Sequence, residues 1–137
     1  RPAWPPGRFD RVLVDAPCSG LGALRRRPEA RWRRTAADLD DLVPLQERLL
    51  DSALDSVRPG GVVVYATCSP VLAETAGVVR TILERRDDVD LLDAAPLLPE
   101  VPDAAGPLAG TLQLWPHKHQ TDAMFLALLG RASSTSP

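Results

Sequence analysis

Two short apolar runs constrain the fold of this chain more than any other feature, residues 9–16 (FDRVLVDA) and 61–68 (GVVVYATC). Each run is continuous rather than alternating and is rich in valine, which predicts a strand buried on both faces of a parallel sheet. Between the runs, leucines at spacings of three and four predict a helix over residues 40–57, with Pro44 in its first turn. A strand, a helix and a second strand in this order predict a βαβ unit and an α/β fold.

The same alternation continues along the rest of the chain. Residues 71–86 predict a second helix, with Glu74, Arg80 and Glu84 facing outward and an apolar face made of Ala76, Val79, Ile82 and Leu83. Short strands are predicted at residues 89–93, 111–115 and 124–129, and a proline-rich loop at 94–110. The sequence therefore predicts a domain over residues 9–131, with an extended lead-in at 1–8 and a disordered tail at 132–137.

The two cysteines follow the two strands, Cys18 in the turn PCSG and Cys68 before Ser69 and Pro70. Ligands bind at the carboxyl ends of parallel strands, so we expect both thiols and the carboxylate of Asp15 to converge there. The residues alone are also compatible with two buried core cysteines, a disulfide or a metal site, although no Cys-x-x-Cys or Cys-x-x-His spacing occurs. Two cysteines in 137 residues are typical of a reducing, cytoplasmic setting.

Positive charge is concentrated in one segment. The net charge is −2, yet residues 25–34 contain six arginines and one glutamate. This distribution excludes a generally basic surface and leaves a single basic patch, which is either an ordinary solvated face or a surface that contacts a nucleic-acid backbone. Trp32, within the patch, either stacks on a base or packs against the protein, and packing is favoured. No apolar run approaches the roughly 20 residues of a membrane span, so no membrane association is predicted.

Residues 15–20 (DAPCSG) and 65–69 (YATCS) resemble the two signature motifs of the RsmB/Sun (Fmu) family, RNA methyltransferases that make 5-methylcytosine with S-adenosylmethionine. The resemblance covers residues 9–131 and continues through RRPE at 26–29, RW at 31–32, LQ at 45–46, RPGG at 58–61 and LWPH at 114–117. The sequence departs from the family pattern at residues 69–74, Lys118, Gln120 and Met124, and none of these departures is expected to touch the chemistry.

The resemblance implies a role for each residue of the predicted site. Cys68 is the nucleophile that adds to C6 of cytosine, and Cys18 assists product release; Cys18 as nucleophile is the alternative. Asp15 contacts the cytosine edge, and Asp15 and Pro17 lie beside the S-adenosylmethionine cofactor. The implied partner is RNA, in particular ribosomal RNA, bound by Arg25, Arg26, Arg27, Arg31, Trp32 and His117. His117 and His119 are interpreted as loop residues rather than metal ligands.

The resemblance also implies the C-terminal half of a Rossmann-like methyltransferase, a mostly parallel sheet with a C-terminal antiparallel strand. No Gly-x-Gly-x-x-Gly sequence follows a strand. We therefore expect the cofactor-binding N-terminal half to be missing and the fragment to be inactive alone. We also expect strand 9–16 to be an exposed edge through which the chain forms a homodimer. Two alternatives are an RNA-binding or scaffold module with a relict pocket, and an unrelated thiol-dependent enzyme.

Overall fold

The computed structural model describes residues 4–133, and five strands of this part form one sheet. They are β1 (Phe9–Asp15), β2 (Val57–Thr67), β3 (Val89–Leu92), β4 (Leu112–Leu114) and β5 (Met124–Arg131). Their order is β1-β2-β5-β3, and β4 also pairs with β5. β1 and β2 are parallel, whereas β5 is antiparallel to β2, β3 and β4. In the described sheet β5 alone runs against the other strands, which confirms the predicted mostly parallel sheet with a C-terminal antiparallel strand.

Helices α1 (Ala30–Arg33), α2 (Asp38–Ser56), α3 (Ala76–Arg85) and α4 (Pro116–His119) accompany this sheet. α2 contacts β1, β2 and α3, and α3 also contacts β3. Their apolar side chains meet those of β2 and β5 in one core, whose largest fully buried apolar members are Tyr65, Phe125, Leu50, Leu54, Ile82 and Leu129. Within residues 4–133, no helix is long and apolar enough to cross a membrane.

Leu54 offers a direct test of this core. Replacement of its fully buried side chain by alanine leaves a cavity between α2 and the sheet. We expect Leu54→Ala to lower the free energy of unfolding by about 2–5 kcal/mol. Leu97→Ala, at a side chain that is 58% exposed, serves as the control and should change it by less than about 0.5 kcal/mol. Urea denaturation measures both values, and equal losses in the two variants would contradict this description of the core.

Helix α2 differs from its prediction in two respects. It begins at Asp38 and continues through Pro44, so the placement of this proline in the first turn is wrong. The helix begins earlier than predicted because hydrogen bonds between residues three apart stabilise its first turn. The backbone N–H groups of residues 38, 39 and 40 donate to the carbonyls of residues 35, 36 and 37. The sequence predicts an apolar stripe through Leu45, Leu49 and Ala53 that is widened by Leu50 and Leu54. In the structure this face is centred on Leu50 and Leu54, which are fully buried, whereas Leu49 is 37% exposed.

Strand β1 is an edge of the sheet, because among the described residues it pairs with β2 alone. The predicted exposed edge is therefore present. The prediction of burial on both faces is wrong, since Leu13 is 67% exposed and Val12 and Val14 are only half-buried. With a neighbouring strand on one side only, the apolar run lacks the cover that a central strand would have.

The predicted lead-in packs against the domain where it is described. The indole N–H of Trp4 donates a hydrogen bond of 2.7 Å to the hydroxyl of Ser56, and its ring meets Phe9 edge to face at 5.5 Å. Residues 1–3 of the lead-in and 134–137 of the predicted disordered tail lie outside the described residues.

Candidate active site

The two cysteines lie side by side at the carboxyl ends of β1 and β2. The strands are parallel and in register, with Asp15 opposite Ala66, and the chain leaves the sheet directly after this pair. The sulfur atoms of Cys18 and Cys68 are 3.4 Å apart, and both cysteines are free thiols. This geometry agrees with the predicted convergence of the thiols and with neither a disulfide nor two cysteines on opposite faces of the sheet.

Burial and neighbouring groups act on the thiol of Cys18. Loss of solvent raises the pKa of Cys18 to about 12, and the adjacent Cys68 and Glu74 act in the same direction. A hydrogen bond from the backbone N–H of Gly20 opposes them. The raised pKa favours the protonated thiol of Cys18, which can donate a hydrogen bond.

Gly22 joins the two cysteine-bearing loops. Its backbone N–H donates to the carbonyl of Cys68 at 2.9 Å, and its own carbonyl accepts from the N–H of Ala123 at 2.8 Å. A Cβ atom at this position would lie 2.6 Å from the carbonyl carbon and oxygen of Cys68 and would also clash with the carbonyl oxygen of Ala123. The close approach of three backbone segments therefore requires glycine here.

A buried carboxylate lies under the same loops. Glu74 is fully buried and accepts hydrogen bonds from the backbone N–H of Ser19 at 2.6 Å and from its hydroxyl at 2.7 Å. The hydroxyl of Ser69 donates to it at 2.5 Å, and the side-chain amide of Gln46 donates at 3.3 Å. The carboxylate thus contacts the residue after each cysteine. The prediction that Glu74 faces outward is wrong, because its side chain is fully buried.

An arginine-rich cavity of about 430 Å³ opens beside Cys68. Arg26 and Arg27, both predicted to contact RNA, line it, and so do Arg33 and Arg34, which the predicted site omits. Its remaining lining residues are Ser19, Gly20, Ala23, Glu29 and Ala30. The structure therefore brings the thiol of Cys68 and four guanidinium groups to one cavity.

The other predicted RNA-contact residues do not line this cavity; they are Arg25, Arg31, Trp32 and His117. The side chains of Arg25 and Arg26 form ion pairs of 2.8 and 2.6 Å with Asp122, and the hydrogen bonds from Arg26 lower the pKa of Asp122. Arg31 lies 5.0 Å from the ring centre of Trp32, whose side chain is 80% exposed. The favoured prediction that Trp32 packs against the protein is therefore wrong. Its ring is open to solvent because α1 is a single short turn that buries none of its residues.

Asp15 and Pro17 lie apart from the arginine cavity. The exposed carboxylate of Asp15 borders a second cavity of about 600 Å³ between β1 and α2, whose apolar lining includes Leu13, Leu45 and Leu49. The carbonyl of Pro17 accepts a hydrogen bond of 2.8 Å from Gln46. The predicted site is therefore divided, because Asp15 borders one cavity and Cys68 another.

The two histidines lie in α4. The ring of His117 lies 5.8 Å from that of Trp115 and does not line the arginine cavity. His119 has a structural role, since its Nδ1 accepts from the N–H of Trp115 at 3.0 Å and its Nε2 contacts the carbonyl of Pro102 at 2.8 Å. Over residues 4–133, no three histidine, cysteine or acidic side chains are grouped as a metal site.

Two buried residues of the site, Glu74 and Gln46, escaped prediction from the sequence. A periodicity signal existed for both, because Glu74 precedes the buried Val78 and Ile82 by four and eight residues, and Gln46 precedes Leu50 by four. Charge and polarity argued for the surface instead, since such residues are seldom fully buried unless they are paired.

The sheet has the fold of the C-terminal half of a Rossmann-like methyltransferase. Residues 2–130 match the family model described as 16S rRNA methyltransferase RsmB/F, and the chain belongs to that family.

Individual proteins show the same relationship. The chain is 61% identical over 123 residues to a Mycobacterium tuberculosis (strain H37Rv) protein named a methyltransferase. The aligned region covers 90% of this chain and 26% of that protein. The chain matches the crystal structure of PH0851 with a TM-score of 0.83 and 36% identity, over 90% of this chain and 27% of that one. It also matches the crystal structure of NSun6 from Pyrococcus horikoshii, determined with the S-adenosylmethionine analogue SFG. That match has a TM-score of 0.74 and 26% sequence identity, and it covers 93% of this chain and 31% of the NSun6 chain. The chain thus spans about a quarter to a third of each of these proteins.

Proposed function

We propose that this chain supplies the thiol-bearing part of an S-adenosylmethionine-dependent methyltransferase that modifies C5 of cytosine in ribosomal RNA through a covalent intermediate. The observation that carries the proposal is the pair of free sulfurs, 3.4 Å apart, beside a cavity lined by arginines. Cytosine C5 is a poor nucleophile, and attack of a thiolate on C6 makes it reactive. A nucleophilic thiol beside cationic groups that can hold the RNA backbone is the arrangement this chemistry needs.

Cys68 is the nucleophile in this proposal. It lines the arginine cavity, whereas Cys18 does not, and the raised pKa of Cys18 keeps that thiol protonated. The thiolate of Cys68 forms a bond to C6, the C5–C6 double bond shifts to C4–C5, and the electron pair of the C4–N3 double bond takes up a proton at N3. The resulting enamine is nucleophilic at C5. After methylation C5 loses its proton to a base, the C5–C6 double bond re-forms as Cys68 leaves as a thiolate, and N3 gives up the proton it had gained.

Cys18 assists this last step. Its protonated thiol lies within hydrogen-bond distance of the sulfur of Cys68 and can donate to the departing thiolate. A donor at this position stabilises charge that develops only as the carbon–sulfur bond breaks, so it accelerates release rather than addition.

We propose that the carboxyl end of β1 faces the cofactor. The carboxylate of Asp15 is exposed at the carboxyl end of β1, where α/β folds bind their ligands. We assign Asp15 and Pro17 to the side of the site that holds S-adenosylmethionine, and Asp15 also to the cytosine edge. When bound, S-adenosylmethionine supplies the methyl group that C5 takes.

Cys68→Ser tests the assignment of the nucleophile. In the intact protein that carries this chain, with S-adenosylmethionine and ribosomal RNA, we expect no 5-methylcytosine in digests examined by nucleoside mass spectrometry. Glu84→Gln, at an exposed position on α3 that lines neither cavity, is the control and should retain activity. Normal 5-methylcytosine from Cys68→Ser would contradict the mechanism. RNA binding without methylation by the unaltered protein would favour the non-catalytic RNA-binding module.

RNA contact by the cavity arginines gives a separate prediction. Arg33→Ala removes one cation from the cavity, and we expect about tenfold weaker RNA binding and a slope of log affinity against log salt that is smaller by about 1. Arg58→Ala, at the opposite end of β2, is the matched control and should leave both values unchanged. Filter-binding titrations at several salt concentrations measure them. An unchanged salt slope in Arg33→Ala would exclude a phosphate contact.

Two proposals concern the chain as an isolated polypeptide. It spans about a quarter of its Mycobacterium tuberculosis relative, and we propose that it does not transfer methyl groups by itself. We also propose that two copies associate through the free edge of β1, where Leu13 and Phe9 are exposed. Analytical ultracentrifugation distinguishes a dimer from a monomer, and a monomer at all concentrations would contradict the association.

A further inference from the structure

Glu74 is the one fully buried acidic side chain among residues 4–133, and no basic side chain lies among its hydrogen-bond partners in this part of the chain. Burial of an unpaired carboxylate is costly, so hydrogen bonds must replace its lost hydration. Four donors do so here: the N–H and hydroxyl of Ser19, the hydroxyl of Ser69 and the amide of Gln46. Because the serine donors belong to the loops that follow the two cysteines, the carboxylate joins these two loops.

Ser19 directly follows Cys18, and Ser69 directly follows Cys68. Both serine hydroxyls donate to the same oxygen, Oε2 of Glu74, at 2.7 and 2.5 Å. The loops come from different strands, and one further direct link is the bond between Gly22 and the carbonyl of Cys68. The carboxylate therefore fixes the position of one loop relative to the other at the residues next to the two sulfurs.

The segment that carries Glu74 is itself held firmly. The hydroxyl of Tyr65 donates a buried hydrogen bond of 2.8 Å to the backbone carbonyl of Glu74. The amide of Gln46, besides contacting the carboxylate, donates to the carbonyl of Pro17 at 2.8 Å. Side chains from β2 and α2 thus hold the carboxylate and both loops in one network.

We propose that Glu74 is a positioning residue that sets the separation of the Cys18 and Cys68 sulfurs through the hydroxyls of Ser19 and Ser69. The role rests on the proposed function, because a fixed separation matters where one thiol must donate to the other as it leaves. Glu74 does not touch the reacting atoms. Its effect on catalysis passes entirely through the two loops.

The chemistry of the network predicts an order among variants. Glu74→Gln keeps the shape of the side chain, and each serine hydroxyl can rotate to accept from the new amide, so the two loops stay joined. Glu74→Ala removes every bond that the carboxylate makes to the two loops, leaves only the direct link through Gly22, and leaves donors of Ser19 and Gln46 unsatisfied. Ser69→Ala removes the arm to the Cys68 loop, together with the bond that its hydroxyl accepts from the N–H of Val71, while Glu74 keeps its bonds to Ser19 and Gln46.

Phenylarsine oxide, which bridges two neighbouring thiols without RNA or cofactor, measures the separation of the sulfurs. In the intact protein we expect Glu74→Ala to slow bridging at least tenfold, Ser69→Ala to slow it about threefold, and Glu74→Gln to remain within about threefold of the unaltered protein. The exposed Glu84→Gln on α3 is the matched control and should bridge at the normal rate. Since Glu74→Ala is the variant that can fail to fold, Ser69→Ala keeps the test decisive.

Bridging at the normal rate in Ser69→Ala and in folded Glu74→Ala would overturn the inference. Equal slowing in Glu74→Gln and Glu74→Ala would also overturn it, because the conservative variant would then fail to rescue. The assay is independent of methyl transfer. A protein whose bridging follows the expected order but which makes no 5-methylcytosine would refute the proposed function and leave the positioning role intact.

Discussion

Cys18→Ala is expected to convert a transient intermediate into a stable covalent complex between the protein and RNA. Addition of Cys68 to C6 does not need Cys18, so the bond still forms. Expulsion of Cys68 loses the hydrogen bond that the Cys18 thiol, 3.4 Å away, donates to the departing sulfur. The intact protein, incubated with S-adenosylmethionine and ribosomal RNA, should therefore accumulate a complex that survives denaturing electrophoresis.

The double variant Cys18→Ala/Cys68→Ala is the control for this experiment. It should form no complex, because the nucleophile is gone. If Cys18→Ala released its product at the normal rate, Cys18 would have no part in release. If the double variant still formed the complex, the covalent bond would belong to another residue.

Gly22→Ala is expected to damage both stability and activity. The added methyl group would meet the backbone of Cys68 at 2.6 Å and the carbonyl of Ala123, and none of these atoms belongs to a flexible side chain. The loops must separate, which strains or breaks the bonds that Gly22 makes to both segments. We expect the free energy of unfolding to fall by about 2–3 kcal/mol. Methyl transfer by the folded fraction should fall about 100-fold, because a misplaced thiol reacts poorly.

Gly7→Ala provides the matched control. Gly7 lies beside Arg58, away from the cysteine loops, with φ 67°, and a Cβ there would make only an ordinary contact, 3.8 Å from the Cα of Arg58. The variant carries only the backbone strain of a left-handed residue, about 1–2 kcal/mol. Thermal or urea denaturation together with a methyl-transfer assay separates the two effects. Methyl transfer that is equally reduced in both variants would contradict a specific role for the contact between Gly22 and Cys68.

The position of the cysteine pair could be predicted from the sequence because it follows from strand geometry. Two valine-rich runs predicted parallel strands, and their carboxyl ends necessarily bring the following residues together. Cys18 and Cys68 accordingly lie 3.4 Å apart. The order of helices and strands was likewise predictable, because apolar periodicity reflects which face of each element is buried.

Features that depend on contacts between distant segments could not be predicted in this way. Glu74 has the sequence features of a surface residue. It is buried because Ser19 and Ser69, which follow the two cysteines, donate hydrogen bonds to its carboxylate in the folded protein. Leu13 belongs to a run that fits a central strand, and its exposure follows from its place at the sheet edge. Trp32 lies on a single turn of helix, too short for periodicity to indicate which side faces solvent.

The most direct test of the covalent mechanism is to locate the bond in the complex trapped by Cys18→Ala. Digestion with protease and nuclease, followed by tandem mass spectrometry, identifies the peptide residue that carries the nucleotide. We predict a single cytidine-derived adduct, methylated at C5, on the sulfur of Cys68. An adduct on any other residue, or a trapped complex without a carbon–sulfur bond, would contradict the assignment of Cys68 as the nucleophile.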